Sequence, residues 1–224
     1  MKNNGKKSKI IRINKLLGKE YGKEKPWKLP PLDALVNVIL SQNTNDVNSG
    51  KAFKKLKAKY RNWGQLLSAP EKEIARTIKV GGLANIKAKR IKKVLMQINK
   101  RVGKLDLGSL RDYSPSDARN YLMQFDGIGP KSAAVVVAFA FGKPAFPIDT
   151  HIFRVLKRIP LMPEKMGYMK AHEYMEKTVP DKLKIPLHVQ MIAHGRKICR
   201  ARKPQCSKCV LRRMCKKVGV GIRG

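Results

Sequence analysis

The sequence predicts an all-α protein, and three observations carry that reading. Apolar residues recur at helical spacing in one segment after another. No run alternates apolar and polar residues well enough to demand a sheet. Gly, Pro and Ser punctuate the segments where helices would start and stop. Counted coarsely, the segments number about ten.

The elements follow in order. The lysine-rich start leads into "IIRINKLL", which can form a helix. "LDALVNVILSQ" (Leu32 to Gln42) is periodic and is preceded by Pro30 and Pro31 as a start signal. "NSGKAFKKLKAKY" reads as a second amphipathic helix. "SAPEKEIARTI" opens on Ser68, with Pro70 and Glu71 suited to a first turn. "NIKAKRIKKVLMQINKRV" is a long basic helix that puts Ile86, Ile91, Val94, Leu95 and Ile98 on one side. "SPSDARNYLMQF" takes Ser114 or Ser116 as its cap. Ala133 to Phe141 is apolar throughout; its alanines and the Gly142-Lys143-Pro144 stop favour a buried helix over a buried strand. "THIFRVLKRI" is helical, with Asp149 placed to cap it.

Composition narrows the function. The chain has 224 residues, enough for one large domain or two small ones. Fifty basic against 15 acidic side chains give a net charge of +35. Such an excess repels itself and calls for a polyanion, with nucleic acid first and a solvated lysine-rich surface or a ribosomal association as the plainer readings. The Ala133 to Phe141 run is too short to cross a bilayer, so no membrane partner is expected. The first residues lack the apolar core and small-residue cleavage site of a secretion signal, which predicts an intracellular protein of the cytoplasm or nucleoid. No heptad or large apolar stripe calls for a dimer, and a monomer is expected.

All four cysteines lie in the C-terminal tail, as Cys199, Cys206, Cys209 and Cys215, with spacing C-x6-C-x2-C-x5-C. In an intracellular chain a disulfide framework is disfavoured. Clustered thiols among lysines and arginines suit a metal, and the spacing leaves both an iron–sulfur cluster and a structural zinc open. The loop between the first two cysteines offers Arg200, Arg202 and Lys203 to phosphates.

"FDGIGPKSA" places Gly127 and Gly129 around Ile128. Such a turn exposes backbone N–H groups at a helix start, where they can hold a phosphate without reading sequence; an ordinary connection between helices reads the same way. Lys131 falls in the first turn of the next helix. A helix N-terminus disfavours a cation, so this lysine is either a solvated phosphate contact or a free amine, the form that attacks an electrophilic carbon. Asp149, eighteen residues on, is a helix cap that can also serve as a catalytic carboxylate.

The stretch "FDGIGPKSAAVVVAFAFGKPAFPIDTHIFRV" resembles the helix-hairpin-helix and Gly-Pro…Asp signature of the endonuclease III family of DNA glycosylases. The cysteine spacing resembles that family's four-iron four-sulfur loop. The two motifs are independent and in the family's order, and the resemblance spans about residues 30 to 215. It implies two helical domains flanking a DNA-binding cleft: a six-helix domain over 32–143, and a cluster domain built from 1–31 and 144–224. It implies Lys131 as nucleophile, Asp149 as essential carboxylate, and a [4Fe-4S] cluster on the four cysteines, with zinc reduced to a minor alternative. "ILSQNTND" resembles the family's loop carrying an amide that fills the gap left by a flipped base, here Gln42 or Asn43, with Gln42 preferred. "VGGLANIKAKR" resembles the second wedge loop, with Leu83 as the plug. From their residues alone, Leu83 reads as core and Gln42 as a helix C-cap.

The implied activity is base-excision repair: damaged duplex DNA is the partner, an oxidised pyrimidine is removed, and the strand is cut by β-elimination through a lysine Schiff base. Removal of uracil or thymine opposite guanine, or of another modified pyrimidine, keeps the fold and changes the base. A non-catalytic DNA-binding protein is the reading from another class, and the presence of both Lys131 and Asp149 speaks against it. Two departures stand out. Phe125-Asp126 replaces the family's usual Leu-Pro and adds a negative charge near phosphate, and "SQNTND" is not the commonest form of its loop. Asn37, where the adenine-mismatch enzymes usually carry glutamate, together with the presence of Lys131, argues against adenine excision.

Overall fold

A computed structural model describes residues 3–22 and 29–220. Among them the regular structure is helical, with eleven α-helices, four short 3-10 turns and no strand. The chain divides into two compact units, Met1–Trp27 with Pro144–Gly224, and Lys28–Lys143.

The Lys28–Lys143 unit holds α2 (Pro31–Ser41), α3 (Asp46–Lys59), α4 (Trp63–Ser68), α5 (Glu71–Thr77), α6 (Ala84–Val102), α7 (Pro115–Leu122) and α8 (Pro130–Ala140). α2 packs against α3, α6 and α8, and α6 also packs against α4 and α5. Leu35, Ile39, Leu56, Ile91, Leu95 and Val136 are fully buried between them. α8 is buried from Ser132 to Ala140, so the apolar run is a core helix, and Gly142 ends it at φ +66°. α3 starts earlier than its apolar pattern suggests, because the Asn45 side chain accepts the Asn48 N–H at 2.8 Å. Ser114, rather than Ser116, caps α7 by accepting the Asp117 N–H. Ser68 closes α4 instead of opening α5, whose cap position is Pro70. Ile86 is 55% exposed instead of joining the buried face of α6.

The other unit holds α1 (Asn3–Tyr21), α9 (Thr150–Arg158), α10 (Tyr168–Thr178), α11 (Asp181–Lys197) and the cysteine loop. Ile10, Ile13 and Leu17 of α1 enter one core with Phe146, Ile152, Leu156, Leu187 and Met191. α11 packs against both α1 and α9 and tolerates Pro186 inside it. A helix covered on two sides carries no single apolar stripe, which is why the sequence singles out no helix there. No helix among the described residues is long and apolar enough to cross a membrane.

Candidate functional site: a lysine at a glycine hairpin, a pinned aspartate and a four-thiol loop

The hairpin joins α7 to α8. Phe125 is buried, edge-on to Tyr121 and beneath the Arg101 guanidinium. Asp126 is exposed and paired with Lys93 of α6 at 2.6 Å, so the charge that departs from the family pattern has a partner within the protein. Gly127 adopts φ +72°, open to glycine at little cost. Ile128 lies between the two glycines of the turn. Its side chain is buried and its N–H donates to the Phe125 carbonyl at 3.1 Å, so it anchors the turn, while Gly127 and Gly129 are exposed. Pro130 opens α8, and Lys131 is its second residue, half-buried. Among the described residues no carboxylate pairs with the Lys131 amine.

In the other unit Asp149 caps α9, its Oδ1 accepting the Ile152 N–H at 2.7 Å. The three residues before it are held by side chains of α10 and α11. Glu176 accepts the Phe146 N–H at 2.9 Å, His188 Nδ1 meets the Pro147 carbonyl at 2.7 Å, and the Tyr168 hydroxyl donates to the Ile148 carbonyl at 2.6 Å. Glu176 is itself held by buried Lys184 at 2.6 Å. Burial, and then the charge of Asp149, raise the Tyr168 hydroxyl above its ordinary range, so it remains a donor. The sequence reading missed Tyr168, Glu176, Lys184 and His188. Their only signal is polar residues in helices that must be buried to form a core.

The loop after α2 separates its two amides. Gln42 is the C-cap of α2, and its side chain is engaged at both ends, donating to the Gly127 carbonyl at 3.0 Å and accepting from Arg90 at 2.5 Å. Asn43 is exposed, at φ +53°. Leu83 precedes α6 at φ +48° and is 49% exposed, which removes it from the core. Beneath both loops Lys87 is 2% exposed and donates to the Leu40 and Gly81 carbonyls at 2.7 and 2.8 Å; burial lowers its amine below the ordinary value.

The four cysteines are each half-buried, and two of them, Cys199 and Cys215, contact Arg158, which is 5% exposed. Arg158 donates to Cys199 Sγ at 3.3 Å and to the Arg200 carbonyl at 2.7 Å, and its own carbonyl accepts from the Lys216 N–H at 2.8 Å. Arg154 donates to the Cys199 carbonyl at 2.8 Å. Burial raises the Cys209 thiol, and the other three cysteines raise it further, so the four sulfurs share one electrostatic neighbourhood. No three His, Cys, Asp or Glu side chains among the described residues group tightly enough to hold a single metal ion. Four thiols set among lysines and arginines are a donor set that suits either an iron–sulfur cluster or a structural zinc. Arg200, Arg202 and Lys203 are exposed on the loop between Cys199 and Cys206, with Lys203 at φ +48°.

The chain is similar to known proteins along most of its length. The family model of the HhH-GPD superfamily base excision DNA repair proteins matches residues 36–181. A DNA glycosylase-like protein of Arabidopsis thaliana is 37% identical over 177 residues, which cover 79% of this chain and 60% of that relative, so the chain spans less than two thirds of its length. Endonuclease III of Sulfolobus acidocaldarius is 37% identical over 184 residues, 81% of this chain and 80% of that enzyme. The structure of a trapped endonuclease III–DNA covalent intermediate superposes with a TM-score of 0.81 at 31% identity, covering 94% of this chain and 96% of that one. By the family model over residues 36–181 and by these relatives, the chain belongs to the endonuclease III family of the HhH-GPD base excision DNA repair superfamily.

Proposed function

We propose that the protein is a bifunctional DNA glycosylase and AP lyase that removes oxidised pyrimidines from duplex DNA. The observation that carries this reading is Lys131: an amine with no carboxylate partner among the described residues, in the first turn of a helix entered through a glycine turn. A base stacked in a duplex is out of reach, so the nucleotide is first flipped out. Exposed Asn43 and Leu83 are the residues available to fill the gap; Gln42, the residue preferred from the sequence, is occupied within the protein. Gly127, Gly129 and the Arg200, Arg202 and Lys203 loop supply phosphate contacts.

The Lys131 Nζ lone pair attacks C1′ of the sugar. The bond from C1′ to the base breaks, and the base leaves with that electron pair and takes up a proton. Asp149 stabilises the positive character that develops on the sugar ring. Nζ then gives up one proton, its lone pair breaks the C1′–O4′ bond as O4′ takes up a proton, and the open sugar is left as a protonated Schiff base. Loss of a C2′ proton expels the 3′ phosphate and cuts the strand. Cys199, Cys206, Cys209 and Cys215 would hold a [4Fe-4S] cluster, which when bound supplies a rigid tether for the basic loop.

The test is base release and strand cleavage on duplexes carrying thymine glycol, uracil opposite guanine, or an abasic site. The proposal expects fastest release of thymine glycol, with cleavage of the abasic duplex. Preferential release of uracil would assign the mismatch reading, and tight binding with neither release nor cleavage would mark a binding protein.

A further inference from the structure

We propose that Gln42 and Arg90 form a strut that fixes the hairpin turn and the first turn of α8, acting as positioning residues for the Lys131 amine; this rests on Lys131 being the nucleophile. Gln42 Nε2 donates to the Gly127 carbonyl at 3.0 Å and reaches Ser132 Oγ at 3.4 Å, while its Oε1 accepts from Arg90 Nη1 at 2.5 Å. Gly127 and Ser132 bracket Lys131 in the chain, so one side chain engages the backbone before the amine and a side-chain hydroxyl just after it. Ser132 is buried, which makes that end of the strut a fixed point.

Arg90 completes the fit. Its guanidinium crosses the turn so closely that a Cβ at position 127 would lie 2.3 Å from Nε. The φ of +72° favours glycine at 127, and any side chain there would have to displace the Arg90 guanidinium from the turn. The two partners come from elements already tied together, since Lys87, one turn before Arg90 on α6, bonds the Leu40 carbonyl two residues before Gln42. For Gln42 to enter a duplex it would forfeit its hydrogen bonds to Gly127, Ser132 and Arg90, the last from a charged donor. Nucleophilic attack depends on the amine being held at near-attack distance and angle, and small displacements there cost large factors in rate.

Three measurements on Gln42→Ala, Arg90→Ala and the double variant decide the matter. They are amide hydrogen exchange in residues 127–133, the single-turnover rate of borohydride trapping on a preformed abasic duplex at saturating enzyme, and the dissociation constant with its salt slope. Each single variant is expected to speed exchange at the hairpin while α9 is unchanged, and to slow trapping about tenfold or more. The dissociation constant should stay within about twofold, and the double variant should be no slower than the slower single one, because the pair acts as a unit. Gln42→Glu keeps a partner for Arg90 but has no proton for Gly127, and should behave like Gln42→Ala. Weakened binding with an intact trapping rate would overturn the proposal and make Gln42 a DNA contact. A salt slope reduced by about one in Arg90→Ala would make Arg90 a phosphate contact instead. Unchanged hairpin exchange would show that no strut exists. Failure of the wild type to trap on any duplex would refute the Lys131 reading, and hairpin exchange would still decide the strut.

Discussion

At Asp149 one carboxylate oxygen accepts the Ile152 N–H, while the charge of the same group reaches Tyr168 and Arg154. These duties can be separated by substitution. Asparagine caps a helix as well as aspartate does, so Asp149→Asn should unfold at nearly the wild-type urea midpoint, whereas Asp149→Ala should lose about 1 kcal/mol. Both should lose base excision, because neither carries the charge; an active Asp149→Asn would reduce Asp149 to a cap. Tyr168→Phe removes the donor to the Ile148 carbonyl and should cost about 1 kcal/mol. It should slow base release at saturating DNA while leaving the dissociation constant unchanged. The sequence marks Lys131 and Asp149 by position alone, beside a glycine turn and before a helix. It does not mark Tyr168, Glu176 or His188, because a polar residue inside a helix looks the same whether it faces water or a carbonyl far away in the chain.

Elements were legible where one face is wet and one is dry. α3 and α6 announce themselves by period, and α8 by its unbroken apolar run and its glycine stop. α11 is covered by α1 and α9 and carries buried Lys184, His188, Gln190 and His194, so no stripe survives to be read. The loops after α2 and before α6 were singled out by their resemblance to the family, but the positive φ of Asn43 and Leu83 has no local signature in the sequence. The cysteine loop depends on Arg158. Arg158→Met would strand the Arg200 carbonyl and the Cys199 sulfur, and should cost about 2–3 kcal/mol by urea denaturation. It should also speed proteolysis between Cys199 and Cys206. Cys206→Ser should abolish the visible absorbance of a bound iron–sulfur cluster in the purified protein; a variant that kept full absorbance would remove Cys206 from the ligand set.

Charge governs the behaviour of the molecule as a whole. With a net charge of +35, binding to duplex DNA should weaken steeply with salt. Contact with about six phosphates gives a log–log slope near −5, and a flat dependence would contradict a phosphate-gripping surface. The joining of α1 to helices from the far end of the chain was the least legible feature. Lys6 meets Tyr174 at 2.5 Å and Tyr21 meets His194 at 3.0 Å across some 170 residues, a pairing that periodicity cannot show and that only the resemblance to the family suggested. The central claim is chemical, that the Lys131 amine becomes covalently bound to DNA. Borohydride trapping on an abasic duplex tests it most directly. The account predicts a stable protein–DNA adduct with the wild type and none with Lys131→Gln, at equal DNA binding. An adduct of undiminished yield from Lys131→Gln would contradict it and place the nucleophile elsewhere.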